Sequence, residues 1–273
     1  MKVWLNGDLV SAEQARIRVD DRGFLLGDGV FETIAVRDFE PLRLDRHLAR
    51  LAQGLRVCGI TPAYSRDDLE AALRRTAEEN AIEHGTLRLT VSRGPAPRGL
   101  RPPENASPSV LVTAFAQPLA PPKPVTAVIA ASTRRNEFSP LSRIKSLNYL
   151  EGVLAVMEAG KRGADEALLL NTTGFLAEAS AANLFCVIDG ETVTPPIEDG
   201  ALPGVMRAAV IEAIGAAERS IAPNQLEGAS EVFLSNSGGI RAIVEIEGRR
   251  IGKGRPGPVW ISLGGLILGR LTR

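Results

Sequence analysis

The stretch QPLAPPKP, Gln117 to Pro124, constrains this chain more than any other. Its four prolines in eight residues fix φ and remove backbone donors, so neither a strand nor a helix runs through it. The expectation is a small N-terminal α/β domain over 1–117, a linker over 118–124 and a larger C-terminal α+β domain over 125–273. The total of 273 residues leaves ample core for two modest domains.

Periodicity on either side of the break is consistent with this division. KVWLNGDLV reads as strand, Asn-Gly turn, strand, and VFETIAV as a further β-branched strand. LDRHLARLAQGLRVCGI places Leu44, Leu48, Leu51, Leu55 and Cys58 at helical spacing, with Gly59 as a stop. SRDDLEAALRRTAEEN reads as a second amphipathic helix capped by Ser65, and TLRLTVSRG and SVLVTAFA as strands. After the prolines the pattern restarts. VTAVIAAST reads as a strand, SLNYLEGVLAVMEAGKRG as a helix ended by Gly163, and PGVMRAAVIEAIGAA as a helix entered at Pro203-Gly204. DEALLLN, LAEAS, NLFCVIDGETVTP and EVFLSNSGGIRAIVEIEGRRIG are strand-rich, and PVWISLGGLILGRLTR reads as a closing helix.

A formal net charge of zero, with no long basic run, argues against a nucleic-acid or anionic-membrane partner. The opening residues turn too soon for a signal peptide, and the apolar tail is too short to span a bilayer, so a cytoplasmic protein is expected. Cys58 and Cys186 lack a CxxC partner and read as reduced core residues. His47 and His84 have no carboxylate or cysteine at metal-ligand spacing, so no metal site is expected, and no GxSxG, P-loop or Rossmann fingerprint is present.

The chemistry enters at Lys145, in SPLSRIKSLNYLEG. The chain holds five lysines among 32 basic residues, the other 27 being arginine. Lysine, unlike arginine, loses its proton when desolvated and adds to a carbonyl. Lys145 is either an amine whose stem covers apolar surface while its head reaches water, or a desolvated amine beside the positive end of the following helix. Glu178, among small and apolar neighbours, is either a strand-edge carboxylate facing water or a buried one facing a protonated ring nitrogen. Arg50, one turn past Arg46, is either part of a solvated helix face or a phosphate clamp. The amides of Val205 and Met206 open a helix and form an anion site, and Asn236 and Ser237 lie in a turn that could complete a phosphate cup. Arg98, in the stiff loop SRGPAPRGL, is either a surface turn residue or the partner of a substrate carboxylate.

Together these stretches resemble the class IV aminotransferases, the pyridoxal-phosphate enzymes of fold type IV. The resemblance rests on DRGFLLGDGVFET, HLARL, SRGPAPRG, IKSLNYL, ADEALLLNTTGFLAEASAANLF and LPGVMR, in the family's order over most of the chain. It implies an α+β, two-domain fold like that of D-amino-acid aminotransferase, a pyridoxal 5'-phosphate cofactor and a homodimer. By the same resemblance Lys145 is the lysine joined to the cofactor, Glu178 the partner of its ring nitrogen and Arg50 its phosphate-binding arginine. Val205 and Met206 supply helix-start amides to the phosphate, with Met206 standing where the family often has a hydroxyl. Asn236 and Ser237 fall at phosphate and substrate, and Tyr149 near the ring oxygen.

Two reactions fit this lysine and cofactor. One is transamination between an amino acid or amine and a 2-oxo acid, the reading taken forward. The other is the aminodeoxychorismate lyase reaction, eliminating pyruvate to give 4-aminobenzoate. The D-amino-acid enzymes use a tyrosine, an arginine and a histidine for the substrate carboxylate; here those positions hold Phe31, Arg98 and Leu100. Phe31 and Leu100 could instead line an apolar pocket for branched-chain substrates. A third reading is a protein that binds the cofactor without turnover.

Overall fold

The Asn-Gly pair that sets the first hairpin has positive φ at both residues, 50° at Asn6 and 104° at Gly7, matching the twist of the strands it joins. The structure is a computed structural model describing residues 1–118, 120 and 122–264. It divides into two units: Met1–Leu119 with Ile144–Asn148, and Ala120–Arg143 with Tyr149–Arg273.

The first unit contains β1 (Lys2–Leu5), β2 (Asp8–Ser11), α1 (Arg22–Leu26), β3 (Gly29–Arg37), β4 (Glu40–Pro41), α2 (Leu44–Cys58), α3 (Arg66–Glu79), β5 (Gly85–Ser92) and β6 (Ser109–Ala116). Its antiparallel sheet runs β2-β1-β6-β5-β3-β4. The two-residue period of the strands separates its faces. Val30, Ile34, Val36, Leu87, Leu89 and Val112 form a core with Leu48, Leu51 and Leu55 of α2 and Leu73 of α3. Phe31, Thr33, Arg88 and Thr90 have the opposite parity. Ser65 caps α3 in a reciprocal box with Asp68, and Gly59, at φ 62°, ends α2. Cys186 is buried as expected, whereas Cys58 is only half-buried at the edge of this core; both are free thiols.

The segment Ile144–Asn148 belongs to this unit. The Phe31 amide donates to the Lys145 carbonyl (2.9 Å) and the Leu147 amide to the Gly29 carbonyl (3.0 Å), extending the open end of β3. This corrects the sequence expectation of a helix beginning at Ser146. The backbone of Ser146 and Leu147 is committed to β3, and the helix begins only at Leu150. The helix-end argument for a neutral Lys145 weakens with it.

The second unit contains β7 (Val125–Ile129), α4 (Leu150–Lys161), β8 (Glu166–Leu170), β9 (Leu176–Ala179), β10 (Asn183–Ile188), β11 (Glu191–Thr194), α5 (Val205–Ile214), β12 (Ala217–Glu218), β13 (Glu231–Asn236), β14 (Gly239–Ile246), β15 (Arg249–Arg250) and α6 (Pro258–Ser262). Its mixed sheet runs β12-β11-β10-β13-β14-β7-β8-β9, with β15 on β14. The Ala179 amide bonds the Ala182 carbonyl (2.8 Å), so β9 turns directly into β10 and the sheet curls. On β10 and β13 one parity (Leu184, Cys186, Val232, Leu234) fills one core. The other parity carries Phe185 and Phe233, stacked at 5.1 Å, against Met206, Ala209 and Val210 of α5. Of the expected closing helix over 258–273, the described residues show α6 at Pro258–Ser262; residues 265–273 lie outside the described residues. No helix among the described residues is long and apolar enough to cross a membrane.

Candidate active site

In the first unit, Ile144 packs into the core while Lys145, one residue on in extended backbone, takes the opposite side. Its Nζ lies 4.4 Å from the centroid of the Phe31 ring. The guanidinium of Arg88 lies 3.7 Å from the same centroid. Arg88 stands diagonally across β5 from Phe31, in the register Phe31–Thr90 and Thr33–Arg88. One aromatic ring therefore carries two cations, each attracted by its π-face. Arg88 was not singled out in the sequence; its signal was the lone charge in the alternating strand TLRLTVS.

Behind β3 lies a buried ionic group. Glu32 shares the parity of Val30 and Ile34 and points toward α2. Its Oε1 accepts from Arg50 Nε (2.8 Å) and its Oε2 from Arg50 Nη2 (2.6 Å) and His47 Nδ1 (2.7 Å). Arg50 is thus no part of a solvated helix face. Burial acts to raise the Glu32 pKa, but hydrogen bonds from Arg50 and then His47 outweigh it and hold the carboxyl below its ordinary range. Burial, the largest influence on His47, lowers its pKa; the bond to Glu32 opposes this, and the charges of Arg50 and Lys145 reinforce it. His47 thus has a carboxylate partner that the sequence reading, confined to metal-ligand spacing, did not find. The partner of His47 is fifteen residues away, outside any spacing rule. His84 meets Asp38 and Glu83 at the surface, but its Nδ1 accepts from the Asp38 amide (3.3 Å).

Arg98 and Leu100 sit in the exposed loop after β5, with Leu100 80 % exposed. The carbonyls of Gly99 and Leu100 are held by Arg22 (2.7 and 3.0 Å), which also pairs with Asp28 (2.7 Å).

In the second unit, Glu178 on β9 is buried rather than facing water. Its Oε1 lies 3.0 Å from Arg135 Nε, and its Oε2 accepts from the Leu202 amide (3.0 Å) and more loosely from Asn183 Nδ2 (3.5 Å). Asn183 Nδ2 also donates to the Leu202 carbonyl (2.8 Å). The carboxylate and the approach to α5 are thus one hydrogen-bonded piece. In this unit Arg135 and Asn183 were missed in the sequence, as Arg88 and Glu32 were in the first; Asn183 was visible only as part of the family motif.

The start of α5 fits an anion with several acceptor oxygens. Its N-cap, Gly204, offers no side-chain cap to the first-turn amides, which include Val205 and Met206. A Cβ at Gly204 would come within 2.0 Å of Asn183 Oδ1, so only glycine lets the backbone pass there. Ser235 stands opposite Asn183 on β13, with the parity that faces α5, and its buried Oγ has no hydrogen-bond partner among the described residues. Asn236 is held locally: its Oδ1 accepts from the Gly238 amide (2.9 Å) and its Nδ2 donates to the Ala181 carbonyl (3.2 Å). Ser237 forms the turn with Gly238, and Tyr149 is the N-cap of α4.

The family model described as amino-transferase class IV matches residues 29–246. A putative branched-chain-amino-acid aminotransferase of Methanocaldococcus jannaschii is 33 % identical over 266 residues, 95 % of this chain and 92 % of the relative. Among solved structures, a T.th. branched-chain amino acid aminotransferase with pyridoxamine 5'-phosphate superposes with a TM-score of 0.90 at 29 % identity, covering 98 % of this chain and 94 % of the other. A putative 4-amino-4-deoxychorismate lyase from Legionella pneumophila does so with a TM-score of 0.84 at 31 % identity, covering 94 % and 96 %.

Proposed function

The chain belongs to the class IV aminotransferase family of pyridoxal-phosphate-dependent enzymes, and from that premise we propose that it transfers an amino group between an amino acid and a 2-oxo acid. The observation that carries this reading is the Lys145 amine beside the Arg88 guanidinium on the Phe31 ring. An amine that adds to carbonyls and a cation for a carboxylate are what an amino acid and its oxo acid require.

Taken unit by unit, the residues suit pyridoxal 5'-phosphate. In the second unit the α5 amides, the Gly204 clearance and the unpartnered Ser235 hydroxyl suit phosphate oxygens, and Glu178 suits a protonated ring nitrogen. In the first, Arg50 offers a cation and Lys145 an amine. When bound, the cofactor supplies an aldehyde that condenses with amines and a ring that takes up the electron pair of the α-carbon. Lys145 Nζ would hold the cofactor and would move the α-proton of the substrate. Glu178 keeps a proton on the ring nitrogen while Arg135 and the Leu202 amide hold the carboxylate in place. Arg88 receives the substrate carboxylate. Each unit exposes an apolar surface, Leu150, Val153, Leu154 and Met157 on α4 and Phe24, Leu25 and Leu26 on α1, which suits the homodimer expected from the resemblance.

Borohydride reduction followed by peptide mapping is expected to place the cofactor on residue 145; a label elsewhere rejects the assignment. A screen of L-branched-chain amino acids, D-alanine and (R)-amines with 2-oxoglutarate, run beside pyruvate release from aminodeoxychorismate, separates the reactions. Oxo-acid-dependent amino transfer is expected. Pyruvate release without transfer would establish the lyase instead, and a yellow protein inert to every amine the non-catalytic binder.

A further inference from the structure

We propose that Glu32 is a positioning residue, whose buried carboxylate, steadied by His47, holds the Arg50 guanidinium in the orientation that receives the cofactor's phosphate. The inference rests on the reading above that Arg50 binds this phosphate. Glu32 lies wholly buried in the middle of β3, on the face that builds the apolar core. A buried ion pair adds little stability over a well-packed apolar pair, so stability alone gives no reason for a carboxylate there. Orientation does. Two oxygens of one carboxylate accept from two nitrogens of one guanidinium at 2.8 and 2.6 Å, a fork that fixes the guanidinium plane.

His47 fixes the other side. It stands one turn before Arg50 on α2 and reaches Glu32 Oε2 at 2.7 Å. Because a carboxylate only accepts, Nδ1 carries the proton in this bond. Glu32 therefore cannot rotate without breaking bonds to two residues of α2. Arg50, otherwise a long and mobile side chain, is thereby ordered before any ligand arrives, which lowers the entropic cost of binding one.

Full-length protein stripped of cofactor is titrated with pyridoxal 5'-phosphate and with pyridoxal, which lacks the phosphate. The ratio of the two dissociation constants isolates the phosphate contribution. Glu32→Asp keeps the charge but withdraws the fork by one methylene. Its ratio is expected to fall about tenfold, the size of one weakened charge-assisted hydrogen bond, with pyridoxal affinity unchanged. Arg50→Ala is expected to lose most of the phosphate preference. Should Glu32→Asp fail to fold, His47→Leu, which removes the bond to Glu32 Oε2 and leaves the fork, is expected to lower the ratio about threefold. An unchanged ratio in the folded variant, or equal weakening of both ligands, overturns the positioning role while Arg50→Ala still reports on the phosphate. An unchanged ratio in Arg50→Ala overturns the phosphate reading itself, and this inference with it.

Discussion

The two units use the same ion pair in opposite senses. In the first, a glutamate held in the core backs an arginine: Glu32 grips Arg50. In the second, an arginine backs a glutamate: Arg135 grips Glu178. The supports also differ. Glu32 has a side chain 1 % exposed and is held by side chains of one helix. Glu178 is 12 % exposed and is held by a guanidinium, a backbone amide and, loosely, an asparagine. If, as proposed, Arg50 meets a phosphate and Glu178 a protonated ring nitrogen, each holder carries the charge opposite to the group it presents. The first pair is thereby expected to govern cofactor affinity and the second the rate.

The largest contrast is in stability. Glu32→Ala removes the carboxylate that grips the buried Arg50 charge, and a loss of about 3–5 kcal/mol is expected. Arg135→Ala leaves Glu178 with the Leu202 amide and some access to water, and about 1–3 kcal/mol is expected. Urea unfolding of both variants tests the ranking; equal losses would erase the distinction between a side-chain support and a backbone one. Next comes rate. Glu178→Gln is expected to lower kcat by about 10²–10³-fold, as for loss of one preorganised electrostatic contact, with cofactor retained. Arg50→Ala is expected to shift cofactor affinity first. The reverse pattern would break the assignment of one pair to affinity and the other to rate.

Much of this arrangement was legible in the sequence, for physical reasons that differ by residue. The hairpin at Asn6-Gly7 and the Ser65 and Gly59 caps are local, and local chemistry determined them. Lys145, Glu178 and Arg50 stood out because a lysine in an arginine-rich chain, a carboxylate among small residues and an off-stripe arginine are each anomalous where they occur. Their holders were not legible. Glu32 is fifteen residues from His47 and eighteen from Arg50, and Arg135, forty-three residues before Glu178, is brought to it by a bridge to Asn171 in the turn between β8 and β9. Such partners are chosen by sheet register and helix packing, which no spacing rule encodes. The start of α4 was misplaced for a related reason. The helix-like pattern from Ser146 is overridden by the edge of β3, a strand far earlier in the chain that takes up the backbone of Ser146 and Leu147.

The smallest contrast is in pH. Only the first support contains a histidine, facing Glu32, Arg50 and Lys145. Its folded pKa lies below the ordinary 6.5. Between those two values the unfolded chain binds a proton that the folded chain does not, so stability falls as pH drops through that window. The loss is about 1.4 kcal/mol for each tenfold difference in proton affinity between the two states. Glu32, held below its ordinary 4.5, adds a loss of the same sign once the pH falls under that value. Urea midpoints followed from about pH 7.5 to about 5 are expected to decline in the wild type and in Arg135→Ala alike. In His47→Asn the slope beginning near 6.5 should be shallower, because that proton is no longer taken up on unfolding. If His47→Asn keeps the full slope, the imidazole is already solvated in the folded chain. Glu32 would then be held by the Arg50 fork alone, and the first support would be no more elaborate than the second.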